Sequence, residues 1–236
     1  MKTRTFQLNL LLAKGLSLIC IVVLLAGCLS EPPGEEVSFH TEDGILLSGR
    51  IIGNSEKNII LSHMDGGSQR DWWQFAEILG DHGYSSLTFD FRGHGKSSGS
   101  IDKTKLDTDL EAAVDYIIGT GKSKILLLGA SMGGTASISV ASYKDISGLI
   151  TISSPAQIAG GLDATSHISK IEVPKLFIAA KDDKFHSRSV DLFAQSSTNK
   201  YEAYKLPGNK HGTNLFDDQN SDKLNGLILD FLRRNY

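Results

Sequence analysis

A serine, a pair of aspartates and a histidine, each just after an apolar run, have the types and spacing for nucleophilic chemistry. Ser131 stands in Gly129-Ala130-Ser131-Met132-Gly133, a G-x-S-x-G pattern behind Ile125-Leu126-Leu127-Leu128. Lifting a serine hydroxyl clear of a sheet needs a sharp step from strand to helix. The serine backbone is strained there, and side chains at 129 and 133 would collide around it; glycine at both places removes the collision. A chance small-residue turn is the plainer reading, but the pattern sits between a buried-strand run and a helical one. A serine hydroxyl is a weak nucleophile until a base takes its proton, and the base needs an orienting acid. In open parallel sheets such groups converge at the carboxyl ends of strands. His211 follows the run 201–206, and Asp182-Asp183 follow the run 174–180. Spacing alone leaves Asp182 and Asp183 as rivals.

The elements that must hold these groups alternate along the chain. Val37 to Thr41 and Ile45 to Ile52 flank a turn at Glu42-Asp43-Gly44, which predicts a hairpin at a sheet edge. Strands follow at 58–62, 84–91, 125–130, 148–153, 174–180 and 201–206. Between them, helical spacing predicts helices starting near Asp71, over 104–119, after Ser131, over 187–196, and at the C-terminus through Leu224, Ile228 and Phe231. Strands alternating with helices imply a mostly parallel sheet covered on both faces.

The chain has 236 residues, 40% hydrophobic and 22% charged, with net charge −3, which suits one globular domain with a sizeable core. Residues 1–27 hold Lys2, Arg4 and Lys14 and no acid, so the remainder is more acidic than the total. No basic cluster interleaved with aromatics occurs, which argues against a nucleic-acid partner. Both cysteines, Cys20 and Cys28, precede the domain, so it has no disulfide, cysteine-zinc site or cysteine nucleophile. Phosphate-loop readings at Gly95-Lys96-Ser97 and Gly121-Lys122-Ser123 fail, because Asp90 and Tyr116 stand where glycine is required. No H-E-x-x-H or other clustered ligand spacing occurs, so neither a metal nor a cofactor is expected.

The N-terminus has a basic start, an apolar run from Gly15 and small residues at Ala26-Gly27, the shape of a secretory signal peptide. Leu25-Ala26-Gly27-Cys28 resembles the lipobox of bacterial lipoproteins. That resemblance implies a signal peptide over 1–27, cleavage before Cys28, and acylation of Cys28 as a membrane anchor in the cell envelope. An uncleaved membrane helix over about 8–29 is the alternative. Residues 28–36 then read as anchor and polar linker, and 37–236 as the domain.

Over 37–236 the chain resembles the α/β-hydrolase superfamily. The resemblance rests on the Ser131 elbow, the acid turn, Lys210-His211-Gly212, the segment His63 to Gly67, and Phe89-Asp90-Phe91-Arg92-Gly93-His94-Gly95-Lys96-Ser97. The order Ser131, acid, His211 is also that superfamily's order. It implies that Ser131 is the nucleophile, His211 the general base and then acid, and Asp183 the orienting acid. Asp183 is preferred to Asp182 because an apolar residue, Phe185, stands two positions after it. The backbone N–H of Met132 would be one oxyanion donor and that of Asp65 the second, with Met64 as rival. Serine at the elbow fits acyl transfer to water from a small ester substrate. A non-catalytic envelope binding or scaffold protein and a serine peptidase are the competing readings. Only residues 156–173 separate two strands where relatives carry a cap, so a minimal cap, a mobile Gly160-Gly161 segment and an open site are expected. His63 and His94 are expected to shape loops; His40, His82, His167 and His186 to be exposed or packing residues. Trp72-Trp73 reads as core, or else as a pocket wall.

Overall fold

The computed structural model describes residues 31–236, so the expectations that rest on Cys28 and residues 1–27 lie outside it. Eight strands form one sheet: β1 (Glu35–His40), β2 (Leu46–Ile52), β3 (Lys57–Ser62), β4 (Ser85–Phe89), β5 (Lys124–Ala130), β6 (Gly148–Ile152), β7 (Lys175–Ala180) and β8 (Tyr201–Leu206). Their spatial order is β1-β2-β4-β3-β5-β6-β7-β8. The predicted hairpin is the antiparallel pair β1 and β2 at one edge, and β2 also runs antiparallel to β4. All other pairs are parallel. The fold is the expected α/β-hydrolase fold, with β5 and its Ser131 end in the interior of the sheet.

Side-chain alternation along β5 divides the core. Ile125 and Leu127 join a cluster on one face, with Leu110, Val114, Ile138 and Phe193. Leu126, Leu128 and Ala130 join the other, with Phe75, Leu79, Leu224 and Phe231. A strand buried on both faces has no polar side to present, hence its continuous apolar run. The first face is covered by helices α2 (Leu106–Gly119), α3 (Met132–Ala141) and α4 (Lys184–Ser196). The second is covered by α1 (Trp73–Asp81) and α5 (Ser221–Asn235). Trp72 is fully buried, as the core reading requires. Trp73 is half-buried, with the guanidinium groups of Arg50 and Arg70 at 5.8 and 5.6 Å from its ring.

Two local departures from the predicted elements matter. Helix α4 begins at Lys184, not 187, which puts His186 on the helix. The segment 156–173 is pinned to the body rather than loose. Ile158, Ala164, Ile168 and Ile171 are buried in the core of the first face. Ile158 N–H donates to Leu162 O at 2.9 Å, and Gly161 N–H donates to Ile158 O at 2.9 Å, which closes a turn around the glycine pair. Residues Pro33–Tyr236 form one compact unit.

Candidate active site

Ser131 sits between β5 and α3 at φ 48° and ψ −119°, a conformation that L-residues rarely adopt. Its N–H donates to Ile152 O at 2.8 Å, and its own carbonyl accepts from Gly134 N–H at 3.0 Å, so the surroundings hold the strained turn in place. The neighbouring glycines have specific reasons. A Cβ at 129 would run into the backbone of Gly133 and Gly134, and one at 133 into the carbonyls of Ser62 and His63. A Cβ at 134 would overlap the Ser154 side chain. The Met132 N–H opens α3, where the first amides have no partner within the helix.

The loop after β8 is brought to this elbow. A Cβ built on Gly212 would lie 3.7 Å from Ala130 Cβ and 2.7 Å from Met64 Sδ, so His211-Gly212 packs against the residue before Ser131. His211 Nδ1–H donates to Asp183 Oδ2 at 2.8 Å. That bond leaves Nε2 with the lone pair a base needs. Asp182 is exposed, and its N–H donates to Gly208 O at 2.9 Å; its carboxylate has no bond to His211. Of the two rivals, the fold therefore joins Asp183 to the histidine. The site is partly open: the side chains of His211 and Asp183 are 34% and 13% exposed.

The loop 63–67 after β3 is tied down by His63. Its Nδ1–H donates to Met64 O at 2.8 Å, and its Nε2 accepts the Phe91 N–H at 3.1 Å. Burial pushes its pKa down to about 4, so the ring is neutral. The loop-shaping role expected for His63 is what the geometry shows. His94 is likewise buried, with Nδ1 3.1 Å from Arg92 O. Asp65 is exposed, with its carboxylate 2.6 Å from Lys103 Nζ, while the Met64 side chain turns toward Gly212. The Phe89 to Ser97 segment owes its position to two buried carboxylates. Asp90 accepts from Gln69 N–H and Gln69 Nε2, each at 2.8 Å, and from Lys96 N–H at 3.1 Å. Asp109, on α2, accepts from Arg92 Nε at 2.8 Å and Arg92 N–H at 2.9 Å.

One residue of the cluster escaped the sequence reading. His186, expected to be an exposed or packing residue, donates from Nδ1 to Asp183 Oδ1 at 2.7 Å. Its ring centroid lies 4.2 Å from that of His211. Burial lowers its pKa, against the pull of Asp183. The signal was present as an i, i+3 spacing from Asp183, the N-cap residue of α4. It is legible only if the helix starts at 184. Asp183, His186 and His211 are also a group that ligand spacing in the sequence did not reveal.

Comparison with known proteins agrees with this architecture. Residues 57–165 match the family model described as alpha/beta hydrolase fold. The uncharacterized protein YfhR of Escherichia coli strain K12 is 24% identical over 84% of this chain and 80% of its own length. The alpha/beta hydrolase domain-containing protein aho-3 of Caenorhabditis elegans is 26% identical over 69% of this chain and 54% of its own. Among solved structures, the esterase Pf2001 of Pyrococcus furiosus superposes with TM-score 0.77 at 23% identity, covering 85% of this chain and 91% of that one. The chain has the α/β-hydrolase fold, and residues 57–165 carry that family's sequence pattern.

Proposed function

We propose that this protein is a serine hydrolase that cleaves carboxylic esters, or related acyl bonds, through an acyl-enzyme on Ser131. The observation that carries the reading is the Asp183–His211 hydrogen bond beside the strained Ser131 elbow. The esterase neighbours among α/β-hydrolase folds support the same class.

In this reading Ser131 Oγ attacks the acyl carbon while His211 Nε2 takes its proton. Asp183 Oδ2 holds the Nδ1–H and stabilises the imidazolium that forms. The oxygen of the tetrahedral intermediate is held by the N–H groups of Met132 and Asp65, both fixed by backbone before charge develops. Collapse breaks the bond to the leaving alcohol, which receives the proton from Nε2. Water, deprotonated by the same nitrogen, then attacks the acyl-enzyme and frees Ser131 and the acid.

The short segment 156–173 favours a small ester or one exposed end of a larger one. We further infer that Cys28 carries an acyl anchor and that the domain works at the surface of an envelope membrane. The Leu25-Ala26-Gly27-Cys28 pattern motivates this. A Cys28→Ala variant is expected to leave the membrane fraction; unchanged integral behaviour would refute the anchor.

The deciding experiment is turnover of p-nitrophenyl acetate, butyrate and octanoate by the full chain and by Ser131→Ala. Hydrolysis that vanishes in the variant supports the serine mechanism. A wild type that neither turns over esters nor reacts at Ser131 with a fluorophosphonate overturns it.

A further inference from the structure

Asp183 does not serve His211 alone. Its Oδ2 accepts from His211 Nδ1 at 2.8 Å and its Oδ1 accepts from His186 Nδ1 at 2.7 Å. One donor atom from each of the three residues lies within 4.8 Å of the other two. An Asp–His pair by itself gives a cation two protein ligands. His186 raises the count to three, the number that open zinc sites use, with water completing the sphere. The side chains of Asp183, His186 and His211 are 13%, 19% and 34% exposed, so a hydrated ion can reach them. Two imidazoles and one carboxylate, without a thiolate, suit a borderline divalent ion such as Zn²⁺ better than Ca²⁺ or Mg²⁺, which favour all-oxygen shells.

We propose that Asp183, His186 and His211 form a reversible inhibitory site for a divalent transition-metal ion, with zinc as the probe. The inhibitory part rests on the hydrolytic reading of Ser131 and His211; the binding part does not.

The chemistry follows from the tautomers. In the hydrogen-bonded arrangement each imidazole carries its proton on Nδ1, pointing at a carboxylate oxygen. The ion takes the place of those two protons. Each Nδ1 proton leaves to water, its lone pair binds the metal, and each ring takes up one proton on Nε2. Nothing is oxidised or reduced, and the rings neither gain nor lose protons overall. His211 then presents N–H toward Ser131 instead of a lone pair and cannot accept the serine proton. Ligand bonds of roughly 2.0–2.2 Å place tetrahedral donor atoms about 3.4 Å apart. The two short pairs must therefore open by roughly 0.6 Å, a shift open to one ring in a loop and one in the first turn of a helix.

The test uses the full chain, stripped with EDTA and dialysed. Calorimetric titration with ZnCl₂ is expected to show one ion per chain. Ester turnover, or fluorophosphonate labelling of Ser131, should fall over the same zinc range and return with EDTA. His186→Phe should weaken zinc binding roughly tenfold or more. His186→Gln, which keeps a donor for Asp183, is the second variant if the first does not fold. Ser131→Ala should bind zinc as the wild type does, because Ser131 is not a ligand. Absence of calorimetric binding, or unchanged affinity in the folded His186 variants, overturns the site. Zinc that binds while turnover and labelling continue overturns the inhibition. If the wild type neither turns over ester nor labels, the hydrolytic reading fails while the calorimetry still decides the site.

Discussion

His63 Nε2 accepts the Phe91 N–H at 3.1 Å, which joins the end of β3 to the end of β4. The bond needs a neutral ring, and burial keeps it neutral down to a pKa of about 4. An unfolded histidine titrates near 6.5, so the unfolded chain takes a proton first as pH falls. Stability is therefore full above about pH 6.5 and declines toward pH 4, by up to roughly 3 kcal/mol. Urea unfolding at pH 7 and pH 4.5 measures it. His63→Gln can keep both hydrogen bonds without titrating and should lose much of the difference. An equal decline in that variant would assign the pH dependence elsewhere.

Gly133→Ala should be costly, because the added methyl meets main-chain carbonyls of Ser62 and His63 that cannot rotate aside. A loss of about 1–3 kcal/mol is expected. The shift falls on the start of the loop 63–67 after β3, so ester turnover should drop further than the folded fraction does. Thermal unfolding together with kcat on the soluble fraction separates the two effects.

The two neighbouring aspartates should behave very differently. Asp183→Asn removes the carboxylate that orients His211, and kcat should fall by roughly 10³–10⁴. Asp182→Asn alters an exposed side chain with no bond to the histidine and should change kcat less than about threefold. Similar losses in both variants would contradict the assignment of the acid.

Arg92 bridges an exposed and a buried carboxylate. Its guanidinium lies 2.8 Å from Asp43 and 2.7 Å from Asp109, whose side chains are 35% and 0% exposed. Burial raises the Asp109 pKa, while the Arg92 hydrogen bonds hold that of Asp43 well below its usual value. Arg92→Met strands Asp109 as an unpaired buried acid and should cost about 3–5 kcal/mol. Asp43→Asn keeps the buried pair and should cost about 1 kcal/mol or less. Chemical denaturation of both variants provides the comparison.

Much of the architecture is legible along the chain because its signals are local. The run 125–128 reads as a doubly buried strand since each of its side chains faces one helical layer or the other. The glycines around Ser131 read as an elbow because their clashes are with residues a few positions away, or with the neighbouring strand. Ser131, Asp183 and His211 stand out because each follows a strand, and the carboxyl ends of parallel strands share one edge.

What the sequence determined by itself was the alternation of elements, the elbow, and the set of groups gathered at that edge. Tertiary structure decided which carboxylate faces His211, because Asp182 and Asp183 differ only in the direction their side chains leave the β7 turn. It decided that His186 shares the Asp183 carboxylate, a contact that appears only once α4 starts at Lys184. It also pinned 156–173, where Ile158, Ala164, Ile168 and Ile171 find an apolar surface built by distant helices. Periodicity records which residues are buried, whereas the direction of a side chain at an element's end depends on packing that no single stretch of sequence contains.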